Sequence, residues 1–325
     1  MGKTPRTEDA LKAIHAIREA PEKYDVKRNL APFLKHKSNH VVAAAASTAE
    51  GLEAAGLAQE LVDAFLVLMQ DPAKRDPGCK ALLAIARALA AANEPAAKVY
   101  FLGLHHVQME GSFGPPVDAA AELRGLCAQG LARMLHPDAL TECVTLLVDR
   151  EAAARIGAAR AIADCGMAEG VLLLRLKALV GDKSDEVTGE CFTGLLRLAP
   201  APSLDFVAKF ARTGSDEVAE LAVFALGESR QAAAFPLLKT AWEQTAQAER
   251  RRALLLAMGM LRTDEAIEFL MSRLNEESER SAADAIRALA IFSRDEAVYA
   301  RVEASVAKRA SADLQTVFDR EFRRC

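Results

Sequence analysis

The feature that most narrows the fold of this chain is internal repetition. Ser184-Asp185-Glu186-Val187 returns 31 residues on as Ser215-Asp216-Glu217-Val218, and Thr263-Asp264-Glu265-Ala266 returns 31 residues on as Arg294-Asp295-Glu296-Ala297. The two pairs mark different phases of one unit with one period. An Ala/Leu-rich segment recurs with them, centred on Leu131, Ile162, Leu195, Leu226, Met258 and Leu289, in steps of 31, 33, 31, 32 and 31. Repetition at this period is the mark of a stacked array in which each unit buries its apolar face against its neighbours.

A unit of this length holds two helices of about 12 residues, each about 18 Å long at 1.5 Å per residue, and leaves no room for a strand. The composition agrees, because the apolar 51% is rich in Ala and Leu while aromatics make up only 5%. Such a bias favours helix nearly everywhere, so no sheet is expected. Each unit opens with Ser, Thr or Asp followed by acidic residues, an N-cap with negative charge placed well on the helix dipole. The first helix is apolar on two sides, as a helix sandwiched between neighbours must be, and its Ala and Gly allow close approach. Second helices are expected to start near Pro137-Asp138, Ala168-Glu169, Pro202-Ser203, Gln231-Ala232, Asp264-Glu265 and Asp295-Glu296, with Pro at or near two of these starts, where its missing N–H costs nothing.

Asp185 to Leu198, Asp216 to Glu228 and Glu249 to Leu261 resemble the first helix of short HEAT-like repeats, the form found in phycobilisome-lyase-type and many bacterial HEAT proteins. The resemblance implies an all-α, right-handed superhelix in which second helices line the inner surface. No tetratricopeptide or ankyrin signature competes with it. Toward the amino end, His40 to Ala55 and Asp76 to Ala92 read as first helices at a longer step. Gly111-Ser112-Phe113-Gly114-Pro115-Pro116 is a breaker-rich insertion that must be a loop. The expected organisation is a capping helix pair over residues 1–37, a repeat array over 38–310 with its insertion near 103–117, and a terminal cap over 311–325.

The net charge of -4 is small, and the positive excess is confined to residues 1–37. Duplex DNA binding scales with the phosphates neutralised by Lys and Arg, so a slightly acidic chain is a poor nucleic-acid partner. No apolar run approaches a membrane span and the start has no apolar leader, which reads as a soluble cytoplasmic protein. The six cysteines are scattered with no C-x-x-C pair, so they read as small buried hydrophobes apart from Cys325. His36 with His40, and His106 with Glu110, have helix-face spacing for a metal, but a site needs three or four ligands. No metal or cofactor is expected.

Three enzymatic relatives of the repeat type were weighed. Metal-dependent HEAT-repeat hydroxylases resemble this chain in architecture but carry His-Glu dipeptides, and it has none. Bilin lyases share the repeat, yet nothing identifies a tetrapyrrole pocket. Alkylpurine DNA glycosylases use Trp, Asp and Arg in a basic cleft; here Trp242 is the single tryptophan and falls at a core position. The hydroxylase reading is set aside, and a HEAT-like enzyme or nucleic-acid-binding protein of the glycosylase or bilin-lyase kind remains the alternative to the leading reading, a non-catalytic scaffold that binds an acidic or amphipathic segment of a partner protein in its groove. Arg175, Lys209, Lys239 and Arg273 recur at similar places in four consecutive second helices, with Arg212 one turn beyond Lys209. Such a stripe has no evident role in stacking and is a candidate binding surface, against the plainer reading of solvated helix ends. Met109 and Phe113 in the insertion form a second candidate.

Overall fold

The computed structural model describes residues 6–52, 56–111 and 114–322. It divides into two compact units, Met1–Gly170 and Val171–Cys325. Unit 1 holds α1 (Thr7–Glu19), α2 (Val26–Leu30), α3 (Asn39–Gly51), α4 (Ala58–Leu68), α5 (Pro72–Arg75), α6 (Lys80–Ala91), α7 (Ala97–Leu104), α8 (Ala121–Arg133), α9 (Ala139–Leu146) and α10 (Ala152–Cys165). The next helix, α11 (Ala168–Val180), crosses the boundary. Unit 2 continues with α12 (Asp185–Leu198), α13 (Pro200–Thr213), α14 (Asp216–Glu228), α15 (Ala234–Gln244) and α16 (Ala248–Leu261). It ends with α17 (Asp264–Glu276), α18 (Glu279–Leu289), α19 (Glu296–Arg309) and α20 (Ala312–Phe322). The fold is an all-α solenoid of helix pairs.

Local chemistry accounts for most boundaries. The Ser215 hydroxyl accepts from Val218 N at 3.3 Å, that of Thr263 from Ala266 N at 3.3 Å, and the Asp295 carboxylate from Ala297 and Val298 N at 3.0 and 3.1 Å. Ser184 makes no such bond; its own N–H donates to Asp182. The helix expected to begin at Asp76 begins at Lys80, because Pro77-Gly78 turns the chain and Gly78 takes φ +76°. Asp76 nevertheless caps it, fully buried, by accepting from Ala81 N at 3.0 Å and Leu82 N at 2.8 Å. The expectation of no sheet needs one correction. The insertion closes a short antiparallel ribbon, β1 (Met109–Glu110) against β2 (Val117–Asp118), in which Met109 pairs with Asp118 and Glu110 with Val117. A helical period says nothing about a segment that lies outside the repeat.

In unit 2 the two helix layers pack differently. First helices touch through small residues: a Cβ added to Gly227 would lie 2.6 Å from the Ala257 carbonyl, and one added to Gly259 would lie 2.5 Å from that of Ala288. Second helices are held apart by rings, with Phe235 edge-on to Phe269 at 5.9 Å and Trp242 edge-on to Phe269 at 5.4 Å. The first-helix layer is therefore the tighter one. Leu226, fully buried on α14, belongs to it. Leu226→Asp is expected to cost several kcal/mol, since an uncompensated carboxylate would replace an apolar side chain among apolar neighbours. An unchanged thermal melt followed by circular dichroism would remove Leu226 from the core.

Candidate functional site

The cations singled out from sequence all lie on the second-helix layer, Arg175 on α11, Lys209 and Arg212 on α13, Lys239 on α15 and Arg273 on α17. The absence of a stacking role needs correction for three of them. The Arg175 guanidinium sits 4.6 Å above the Phe206 ring of α13 and donates to the Pro202 carbonyl at 2.6 Å. Lys239 Nζ lies 5.7 Å above Phe269 of α17, and Arg273 packs 5.1 Å from Phe269 and 5.4 Å from Trp242. Arg273 also pairs with Glu277 at 2.8 Å and Glu276 at 3.1 Å. A cation over a ring contributes about 0.5–1 kcal/mol at exposed sites, so these side chains help join successive repeats. Trp242 is buried, as the core reading expects. The signal was present in the sequence: Phe206, Phe235, Trp242 and Phe269 fall on the same helices as the cations.

Lys209 and Arg212 differ. Both are exposed, and among the described residues neither side chain makes an ion pair or ring contact. Arg212 also stands in the last turn of α13, where a cation suits the helix dipole. On the same helix layer, α11 presents a row that sequence reasoning passed over. Leu172, Leu176 and Leu179 are 71%, 61% and 64% exposed, at the i, i+4, i+7 spacing of one helix face. The inward face of α11 is taken by Leu174 and Ala178, so its leucine run exceeds what one buried stripe absorbs.

On the first-helix layer unit 2 carries two hollows, of about 550 Å³ and about 430 Å³. The first lies between α14 and α16, the second reaches α18 and α20, and they share Glu249 and Arg252. Both hollows open on first helices.

In unit 1 the insertion is anchored by a buried polar network. Arg124, 4% exposed, donates to Asp118 at 2.7 Å, to both Asp149 oxygens at 2.9 Å and to the His106 carbonyl at 3.0 Å. Glu110 accepts from Gly78 N at 2.7 Å and from Gln108 Nε2 at 2.6 Å, while His106 Nε2 meets Gln108 Oε1 at 2.9 Å. His106 and Glu110 thus both meet Gln108 at the start of the ribbon. The ribbon leaves Met109, Val107 and Val117 exposed; Phe113 lies outside the described residues. Burial pushes the Cys79, Cys143 and Cys191 thiols up to about 12, and raises Cys127 further. No group of three His, Cys, Asp or Glu suited to a metal occurs among the described residues. Nor is any helix among them long and apolar enough to cross a membrane.

The family described as HEAT repeats matches residues 204–290, which span the seam and the ring ladder of unit 2. Residues 204–290 carry HEAT repeats. No curated protein sequence matches it. Among solved structures, an engineered protein is similar at 16% identity and a TM-score of 0.41, over 97% of this chain and 92% of that one. Human deoxyhypusine hydroxylase in complex with glycerol is similar at 19% identity and a TM-score of 0.34, over 84% and 98%. The CpcE and CpcF complex of phycocyanin lyase from Nostoc sp. is similar at 17% identity and a TM-score of 0.34, over 66% and 98%. Likenesses of this grade carry no activity to these HEAT repeats.

Proposed function

We propose that this HEAT-repeat chain is a non-catalytic interaction scaffold, and that the second-helix face of unit 2 binds an acidic or amphipathic segment of a partner protein. The observation that carries the reading is the exposed row Leu172, Leu176 and Leu179 on α11, the helix that Arg175 ties to α13, which carries the unpaired cations Lys209 and Arg212. An unpartnered apolar stripe on a soluble-type helix marks an interaction surface, and flanking cations select the charge of what lies on it. A partner helix with apolar residues at the same spacing and Glu on its flanks satisfies both. Arg175, Lys239 and Arg273 lie on the same helix layer, braced on rings. Met109, at the exposed ribbon of unit 1, is a second candidate contact.

The test uses the full chain and a fluorescein-labelled helical peptide with Leu at i, i+4 and i+7 and Glu between. Lys209→Glu with Arg212→Glu is expected to leave the melt unchanged and to weaken binding about tenfold at low salt, with a flatter salt dependence. Leu176→Ser is expected to weaken it at every salt concentration. Peptide binding that ignores all three substitutions would remove this face from consideration.

A further inference from the structure

The first-helix face of unit 2 offers the opposite chemistry. Its two hollows share a wall and so form one trough across α14, α16, α18 and α20. The apolar part of the floor comes from half-buried side chains, Phe224 and Leu256 in the first hollow and Ala283 and Val317 in the second, which is otherwise mostly polar. Around this floor stand six carboxylates and four guanidiniums. Three carboxylates are already held: Asp216 by Arg250 at 2.9 Å, Glu249 by Arg280 at 3.2 Å and Asp284 by Arg287 at 2.6 Å. Glu220, Glu279 and Asp313 are exposed, and among the described residues none of them forms an ion pair. Arg252, on the shared wall, is 56% exposed and 4.0 Å from Glu249.

The spacing of the trough also selects a backbone. Packed helices lie about 8–10 Å apart, and the Gly227–Ala257 and Gly259–Ala288 contacts hold this layer tight. A polyproline II chain repeats its facing side chain every third residue, about 9 Å along its axis. Its carbonyls make no internal hydrogen bonds, so a guanidinium such as that of Arg252 has acceptors to donate to.

We propose that the trough binds a basic, extended segment of a partner protein, with an apolar side chain at every third position seated in successive hollows and Lys or Arg facing Glu220, Glu279 and Asp313. This site is separate from the second-helix face in place and in the charge it selects. Charge complementarity sets the occupant, and an acidic segment would meet three uncompensated carboxylates.

Fluorescence anisotropy with the full chain and a labelled peptide of three Lys-Pro-Leu repeats tests it. Binding is expected to be about tenfold tighter than for a scrambled peptide of the same composition or for the Glu-Pro-Leu counterpart. Neutralisation by Glu220→Gln, Glu279→Gln and Asp313→Gln, all surface positions that leave the melt unchanged, is expected to reduce the affinity about tenfold. Lys209→Glu with Arg212→Glu is expected to leave it as it is, which separates this proposal from the second-helix one. Equal binding of the scrambled peptide, preference for the Glu peptide, or indifference to the three neutralisations would each overturn it.

Discussion

Arg124→Ala is expected to cost unit 1 about 3–5 kcal/mol, the range found when one member of a buried ion pair is removed. The guanidinium bridges Asp118 and Asp149 and also holds the His106 carbonyl. Its loss strands two carboxylates beneath the insertion. Arg124→Lys should recover little, because one ammonium cannot reproduce a fork that reaches both acids. The effect has a pH signature. Burial alone would raise the Asp118 carboxyl, but the N–H groups of Gln108 and Ala120 and the Arg124 guanidinium together hold it below its usual value. A carboxyl depressed in the folded state contributes stability that is fully present above its unfolded value, about 3.9, and is lost as pH falls through the folded value. Without Arg124 the folded value moves up toward the unfolded one, so this acid-dependent contribution shrinks. Urea melts at pH 7, 5 and 3 should show both the large deficit at pH 7 and a flatter acid limb. A variant within about 1 kcal/mol of wild type at pH 7 would mean that water already reaches the pair.

Gly157→Ala is expected to destabilise by about 1–3 kcal/mol, and Gly157→Val by more. At this position α10 crosses α8 with backbones touching. A Cβ on Gly157 would run into the Gly125 Cα and lie 2.7 Å from its carbonyl carbon, and one on Gly125 would lie 2.9 Å from the Gly157 Cα. Ala has the better helix propensity by about 1 kcal/mol, but the obstacle is backbone on both sides, and it cannot rotate away as a side chain can. Gly51 at the end of α3 is the internal control, since an added Cβ there meets nothing within 4 Å. Gly51→Ala should be neutral or mildly stabilising. If Gly157→Ala raises the melting temperature as well, α8 and α10 separate without cost and the close crossing is not a constraint.

Helix pairing was readable from the chain because the signals are local. The caps at Ser215, Thr263 and Asp295 are formed within a few residues, and the period of the Ala/Leu core needs no knowledge of neighbours. What sequence reasoning missed depends on lateral stagger between helices. Asp76 caps a helix that starts four residues later, across a left-handed Gly78. Arg175 finds Phe206 and Lys239 finds Phe269 only because consecutive second helices sit in a particular register. The difference between the two layers was readable in principle. Gly227 and Gly259 lie on first helices and Phe206, Phe235 and Phe269 on second helices, and small residues bring helices together where rings keep them apart. The surplus leucines of α11 were visible too, but excess over one buried stripe becomes informative only once the buried stripe is known.

The unequal layers of unit 2 make it a leaf spring with one stiff leaf. Where Gly227 meets Ala257 and Gly259 meets Ala288, backbone rests on backbone and there is no slack to compress. On the other side the rings of Phe235, Phe269 and Trp242 meet at their edges, a geometry that tolerates sliding. Flexing therefore pivots on the seam and is taken up among the rings. The chain's single tryptophan stands in that compliant leaf, 4.3 Å beneath the Arg251 guanidinium, so its indole emission is a built-in strain gauge for anything that bends the unit.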